Sequence, residues 1–120
     1  MATPNLSAIT TVTPAIFAST QLGAGDTTVY TVPGSSAAKL VKLVLTNTSG
    51  SAVTVSVSII PAGGAVDGSH RVVSGYSLAG GDSTTVTEVE GVLLGAGDSV
   101  SINAGVAASV DVLLSGLVFA

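Results

Sequence analysis

Ala52-Val53-Thr54-Val55-Ser56-Val57-Ser58-Ile59 is the stretch that decides the fold. Its strict alternation puts Val53, Val55, Val57 and Ile59 on one side of an extended chain and hydroxyl groups on the other, the pattern of a half-buried strand. Less regular alternation recurs over Thr27–Val32, Lys39–Thr46, Arg71–Leu78, Ser83–Val89, Asp98–Asn103 and Ala108–Phe119, with Gly, Asn, Ser or Pro between the runs. Alanines are scattered among Gly, Ser, Thr and Val rather than placed at a period of 3.6, so helix is disfavoured. The expectation is an all-β chain, a compact antiparallel β-sandwich of jelly-roll or Ig-like type with seven or eight strands, formed by residues 21–120.

The connections carry their own signals. Asn47-Thr48-Ser49-Gly50-Ser51 suits a hairpin between antiparallel strands, because Asn, Ser and Gly accept positive φ or cap the turn with side chains. A threefold echo reads Leu22-Gly23-Ala24-Gly25-Asp26, Leu78-Ala79-Gly80-Gly81-Asp82 and Leu94-Gly95-Ala96-Gly97-Asp98. In each copy the Leu can anchor the chain in the core, a Gly can take an unusual φ, and the Asp can bond backbone N–H groups. The unequal spacing of the copies argues against a solenoid.

Residues 1–20 differ, with Pro4 and Pro14 on either side of Ile9-Thr10-Thr11-Val12-Thr13 and no evident hairpin partner. They are expected to form an N-terminal arm that either packs on its own sandwich or adds a strand to a neighbouring subunit. Pro4, Ile9, Val12, Pro14, Ile16 and Phe17 are its candidate partner-binding residues. Deletion of Met1 to Thr20 is expected to leave the sandwich folded and to abolish attachment.

Composition narrows the functions. A length of 120 residues fits one domain. Hydrophobic residues make up 47% of the chain, yet only Phe17, Tyr30, Tyr76 and Phe119 are aromatic, so the core is expected to be aliphatic. Charged residues are only 8%, against a usual share of roughly 25%, which leaves hydroxyl and apolar faces with little to keep copies apart. The net charge is −4 and Lys39, Lys42 and Arg71 are the only permanent cations, a poor match to a phosphate backbone; nucleic acid is not an expected partner. With no cysteine there are no disulfides or thiolate metal sites. Neither a signal-peptide pattern nor an apolar run of about 18 residues appears, which predicts a soluble cytoplasmic product with no membrane partner.

Chemical motifs are weak. His70 lies near Asp67, Ser69 and Ser74, but Ala62–His70 reads as a Gly-rich loop rather than an oriented base, nucleophile and oxyanion hole. No enzymatic activity, catalytic residue, cofactor or metal is expected. Acidic turns lack the repeating nonapeptide of calcium-binding β-rolls. Gly23-Ala24-Gly25 and Gly95-Ala96-Gly97 lack the rest of a nucleotide fingerprint. Glu88 and Glu90, two apart in an expected strand, read as a solvated or partner-facing pair. With no Trp and two Tyr, aromatic sugar platforms are scarce.

Tyr30-Thr31-Val32-Pro33, then Leu45-Thr46-Asn47-Thr48-Ser49-Gly50-Ser51-Ala52-Val53-Thr54-Val55, then Ile60-Pro61-Ala62-Gly63-Gly64 resemble small virion structural proteins of tailed bacteriophages, of capsid-decoration or tail-associated type. The resemblance runs from about Gln21 to Ala120. It implies a compact β-sandwich used many times on a symmetric particle, often as a homotrimer on a capsid surface, with the major capsid protein or other virion subunits as partners. It brings no catalytic residues. The expected function is a capsid decoration protein that stabilises the head, made in the host cytoplasm and located in the virion. A tail or fibre component, acting as adaptor or receptor-binding module, is the alternative.

Overall fold

The computed structural model describes residues 9–120. Among them run nine strands: β1 (Val12–Gln21), β2 (Gly25–Thr31), β3 (Ala37–Asn47), β4 (Val53–Ile60), β5 (Arg71–Leu78), β6 (Ser83–Thr85), β7 (Leu93–Leu94), β8 (Ser99–Ala104) and β9 (Val110–Phe119). A five-stranded sheet has the order β1-β9-β3-β6, with β7 also against β3; a four-stranded sheet has the order β2-β8-β4-β5. Every pairing is antiparallel.

The pairs nest. β1 pairs with β9, β2 with β8, β3 with β6 and β7, and β4 with β5, successive pairs falling alternately in the two sheets. A long hairpin rolled up in this way is a jelly roll, which settles the choice left open between jelly-roll and Ig-like sandwiches. β6 and β7 share one strand position, because the chain leaves β3 between them. Where alternation suggests one strand over Ser83–Val89, only Ser83–Thr85 is extended, and Thr87–Val89 forms a 3-10 turn that buries Val89. That turn also removes Glu88 and Glu90 from a common strand face; Glu90 instead meets Lys42 Nζ at 3.8 Å.

Alternation places the core as expected. Val55, Val57 and Ile59 of β4 face Ala104, Ile102 and Val100 of β8 across the ladder, and Leu43, Leu45, Val112 and Leu114 come from the other sheet. Among the described residues every fully buried large side chain is Leu, Val or Ile. β3 changes phase at a bulge between Leu40 and Lys42, so Ala38 and Leu40 point inward before it and Leu43 and Leu45 after it. The hydroxyl side of β4 is less solvated than its pattern suggests: Ser56 and Ser58 are buried between the flanking strands, and Ser56 Oγ accepts the Gly75 N–H at 2.9 Å.

The expected hairpin at Asn47–Ser51 is a corner between sheets, since β3 and β4 belong to different ones. Asn47 is fully buried there, and its Oδ1 accepts from Ser49 N at 2.9 Å and Ser49 Oγ at 2.7 Å. The echoed turns behave as read. Leu22, Leu78 and Leu94 are buried, and the residue before each Asp has positive φ: Gly25 at 82°, Gly81 at 74° and Gly97 at 84°. In the last two copies the Asp N–H closes a four-residue turn onto the carbonyl of Ala79 or Gly95, so the glycine occupies the position that demands the left-handed region. Asp98 also caps its own turn at Gly95 N (2.8 Å) and reaches Ala62 N (2.9 Å).

Residues 12–20 of the expected arm lie in β1, paired along its length with β9 of the same chain. Of the two arrangements foreseen, this is packing on its own sandwich, driven by an apolar stretch that completes the edge of the five-stranded sheet. Met1–Ala8 lie outside the described residues.

Candidate protein-contact surface

The two outer faces of the sandwich differ in chemistry. Residues paired across a ladder point to the same side, so the outward rows of the five-stranded sheet follow from its register. One row holds Gln21, Asp111 and Thr46; the next Ser19, Leu113 and Val44; then Ile16, Ser115 and Lys42; then Pro14, Leu117 and Lys39; and last Val12 and Phe119. Leu93 lies beside Lys39, and the bulge at Val41 adds another apolar side chain next to Pro14 and Ile16. Large apolar side chains stand well exposed here, with Ile16 at 68%, Leu93 at 67%, Val12 at 54%, Val41 at 45% and Leu113 at 41%. These are five of the nine large apolar side chains exposed among the described residues, gathered on one side. A concentration of this kind marks a contact surface rather than ordinary scatter.

The four-stranded sheet presents a different face. Its outward positions carry Thr28, Ser101, Ser58, Ser56, Asn103, Thr54 and Ser77, with Asp26 accepting from Asn103 Nδ2 at 3.0 Å. Small hydroxyl groups, partly tied down by their neighbours, dominate it, and its exposed large apolar side chains are Val72 and Tyr76 on the edge strand β5.

Three of the six residues anticipated for partner binding, Val12, Pro14 and Ile16, therefore fall on the apolar face. Phe17 does not. It sits in the bulge of β1 between Ile16 and Ala18, turns toward the other sheet and stacks on Tyr30 with ring centroids 4.1 Å apart and planes 10° apart. Burial raises the Tyr30 hydroxyl pKa. Phe17 takes the side opposite Ile16 by plain alternation, and the bulge shifts the phase after it, so Ala18 also turns inward and Ser19 outward. Ile9 is half-buried just before β1, near where Thr10 and Thr11 donate to the Ala120 carbonyl, and Pro4 lies outside the described residues.

Sequence reading missed Val41, Leu93, Leu113 and Leu117. The signal was present in Val110–Phe119, where Leu113 and Leu117 stand out of phase with buried Val112 and Leu114; a strand apolar on both sides is one covered on both sides.

The Gly-rich loop is organised by its own residues. Asp67 caps the 3-10 turn Gly68–His70, accepting from Ser69 N at 2.9 Å and from Ser69 Oγ at 2.5 Å. These bonds, the hydroxyl first, hold its carboxyl below the usual range, with a smaller contribution from His70. His70 Nδ1 is 2.8 Å from the Ala65 carbonyl, which can only accept, so this nitrogen carries the proton. Ser74 is 3.4 Å from Arg71 Nη1. Ser69, Asp67 and His70 thus bond the loop to itself. Among the described residues no three His, Asp or Glu side chains gather as metal ligands.

No family model matches the sequence, and no curated protein matches it. Its fold has a viral counterpart. The chain is similar to one from the crystal structure of the T13 IBDV viral particle, with a TM-score of 0.57 over 91% of this chain. Identity is 13% and the match covers 30% of that chain, so this chain spans less than a third of its length. At that identity the likeness establishes a shared β-sandwich and nothing about partners.

Proposed function

We propose that this chain is a virion structural protein of a tailed bacteriophage, a capsid decoration protein that binds the assembled head as a symmetric oligomer. The observation that carries the reading is the two-faced sandwich: an apolar surface built on Ile16, Val41 and Leu113, opposite a hydroxyl-rich one. A chain with 8% charged residues gains by covering such a surface with other subunits. Sharing a β-sandwich with a chain of a viral particle supports the same reading.

Stabilisation follows from linkage. A protein that binds only the assembled lattice favours that state by an amount that grows with saturation. Particles lacking it are expected to assemble normally and to break at lower temperature.

The tail or fibre alternative draws on the loop Pro61–Ser69, every residue of which is exposed and available to a receptor. Antibody-gold labelling of intact virions, with gel densitometry for copy number, separates the two. Dense labelling over the head with hundreds of copies supports decoration; sparse labelling on the tail transfers the protein to the adaptor or fibre class.

A further inference from the structure

We infer that two copies of this chain pack face to face through the apolar outer surface of the five-stranded sheet, related by a twofold axis lying across the strands. The inference rests on the reading of that surface as an oligomer contact and names its occupant, a second copy.

The charges on the face select this arrangement. Asp111 stands at one end, and Lys39 stands three rows away, roughly 20 Å along the strands at about 3.3 Å per residue. Lys42, in the middle, is already matched by Glu90 at 3.8 Å. Among the described residues neither Asp111 nor Lys39 has an ion-pair partner in its own chain. An axis across the strands reverses the second copy, bringing its Lys39 row over Asp111 and its Asp111 over Lys39. An axis along the strands would place like charges in the same rows. The crosswise axis also lays Leu113 and Val44 of one copy over the row of Ile16 and Ser115 of the other, so the apolar centre is shared and the Asp111 and Lys39 rows flank it.

Size is adequate. Four strand positions spaced about 4.8 Å apart and up to ten residues long give a flat area of about 600 Å² before side-chain relief is counted. Stable interfaces bury about 800 Å² per partner. A twofold contact is isologous, so a single self-complementary surface suffices and closes on itself. The hydroxyl-rich face stays outside.

The test is sedimentation equilibrium on the full chain. The wild type is expected to be dimeric, and Ile16→Asp and Leu113→Asp each to raise the dimer dissociation constant at least tenfold. Val106→Asp, on an exposed loop away from the face, should change nothing. Asp111→Lys and Lys39→Asp should each weaken the dimer, and the double exchange should restore it. Rescue cannot arise within one chain, where the two sites are too far apart to touch. Circular dichroism of each variant verifies the fold. A wild type that stays monomeric, a trimer indifferent to these substitutions, or exchanged charges that weaken additively would overturn the inference. Virion labelling is read separately: a dimer absent from particles refutes the virion reading and leaves the interface standing, while a virion protein that does not dimerise through this face does the reverse.

Discussion

Asn47 Nδ2 donates to the Leu78 carbonyl at 2.9 Å across 31 positions of sequence, fastening the end of β3 in one sheet to the end of β5 in the other. Its second hydrogen goes to the Ser51 carbonyl at 2.8 Å, and both acceptor sites of Oδ1 are taken by Ser49, so a fully buried amide has all its capacity used. The Asn47 backbone joins the same knot, donating to Asp82 O at 2.8 Å and accepting from Gly81 N at 2.9 Å. This cluster is what holds the jelly roll closed at that corner.

Asn47→Ala is expected to destabilise the protein by about 3 kcal/mol, because the Leu78 and Ser51 carbonyls lose their donor in a site that water reaches poorly. Asn47→Asp removes the donors while keeping the shape, and should cost a similar amount. Urea unfolding followed by circular dichroism measures both; a change under about 0.5 kcal/mol would mean the corner closes without this side chain.

Two glycines are expected to resist substitution for different reasons. At Gly25 φ is 82° and an added Cβ would meet open space, so alanine there should cost about 1 kcal/mol through backbone strain alone. At Gly116 the conformation is ordinary, but an added Cβ would collide with the Lys39 carbonyl and the Phe17 ring. Gly116→Ala should therefore cost more, about 2–3 kcal/mol, as overpacking does when the obstacle is backbone. Equal costs in thermal unfolding would contradict the distinction.

Phe17 and Ile16 are neighbours on opposite sides of β1, which makes them a direct check on which way the strand faces. Phe17→Ala removes the ring stacked on Tyr30 and is expected to cost about 2 kcal/mol, less than for a fully buried aromatic. Ile16→Ser, on the exposed face, should change monomer stability by no more than about 0.5 kcal/mol. The reverse order would place Phe17 outside and Ile16 in the core.

The strands were legible where alternation is strict. Arg71–Leu78 lies where its pattern places it, and β4 is displaced by one residue from the quoted run. The echoed Leu and Gly positions could be read because each has a local cause, a buried anchor or a positive φ. Sheet membership was not legible: Asn47–Ser51 has hairpin chemistry, and nothing local distinguishes a turn within a sheet from a corner between sheets. The apolar face was half legible. Val12, Pro14 and Ile16 were singled out, but for an arm rather than a strand, and Leu113 and Val41 join them only through the pairing of β1, β9 and β3. Phe17 points away from Ile16 by plain alternation, and the bulges after Ile16 and Leu40 shift the phase of the residues that follow them.

Asp67 gives a pH-dependent expectation with a definite sign. Its folded-state pKa is depressed, first by the Ser69 hydroxyl, so its stabilising contribution is present above the ordinary carboxylate value of about 3.9 and is lost as pH falls through the depressed one. Carboxyl-carbon NMR titration should show Asp67 ionising below the usual range, and Ser69→Ala should move it back toward that range. No displacement in the variant would mean that another group sets the value.

Truncation tests whether β1 belongs to the sandwich. Sequence reading treated Met1 to Thr20 as separable, yet Val12–Gln21 pairs with β9 from Val12↔Phe119 to Gln21↔Asp111, and Phe17 covers Gly116. Removing residues 1–20 strips β9 of one of its two neighbours and exposes the edge of the five-stranded sheet, an open template for aggregation. The truncated chain is expected to unfold at lower urea concentration and to aggregate, whereas a charge placed at Ile16 in the full chain should weaken self-association without causing aggregation. A truncated protein as stable and monodisperse as the full chain would show that the jelly roll closes without its first strand, returning β1 to the role of an arm.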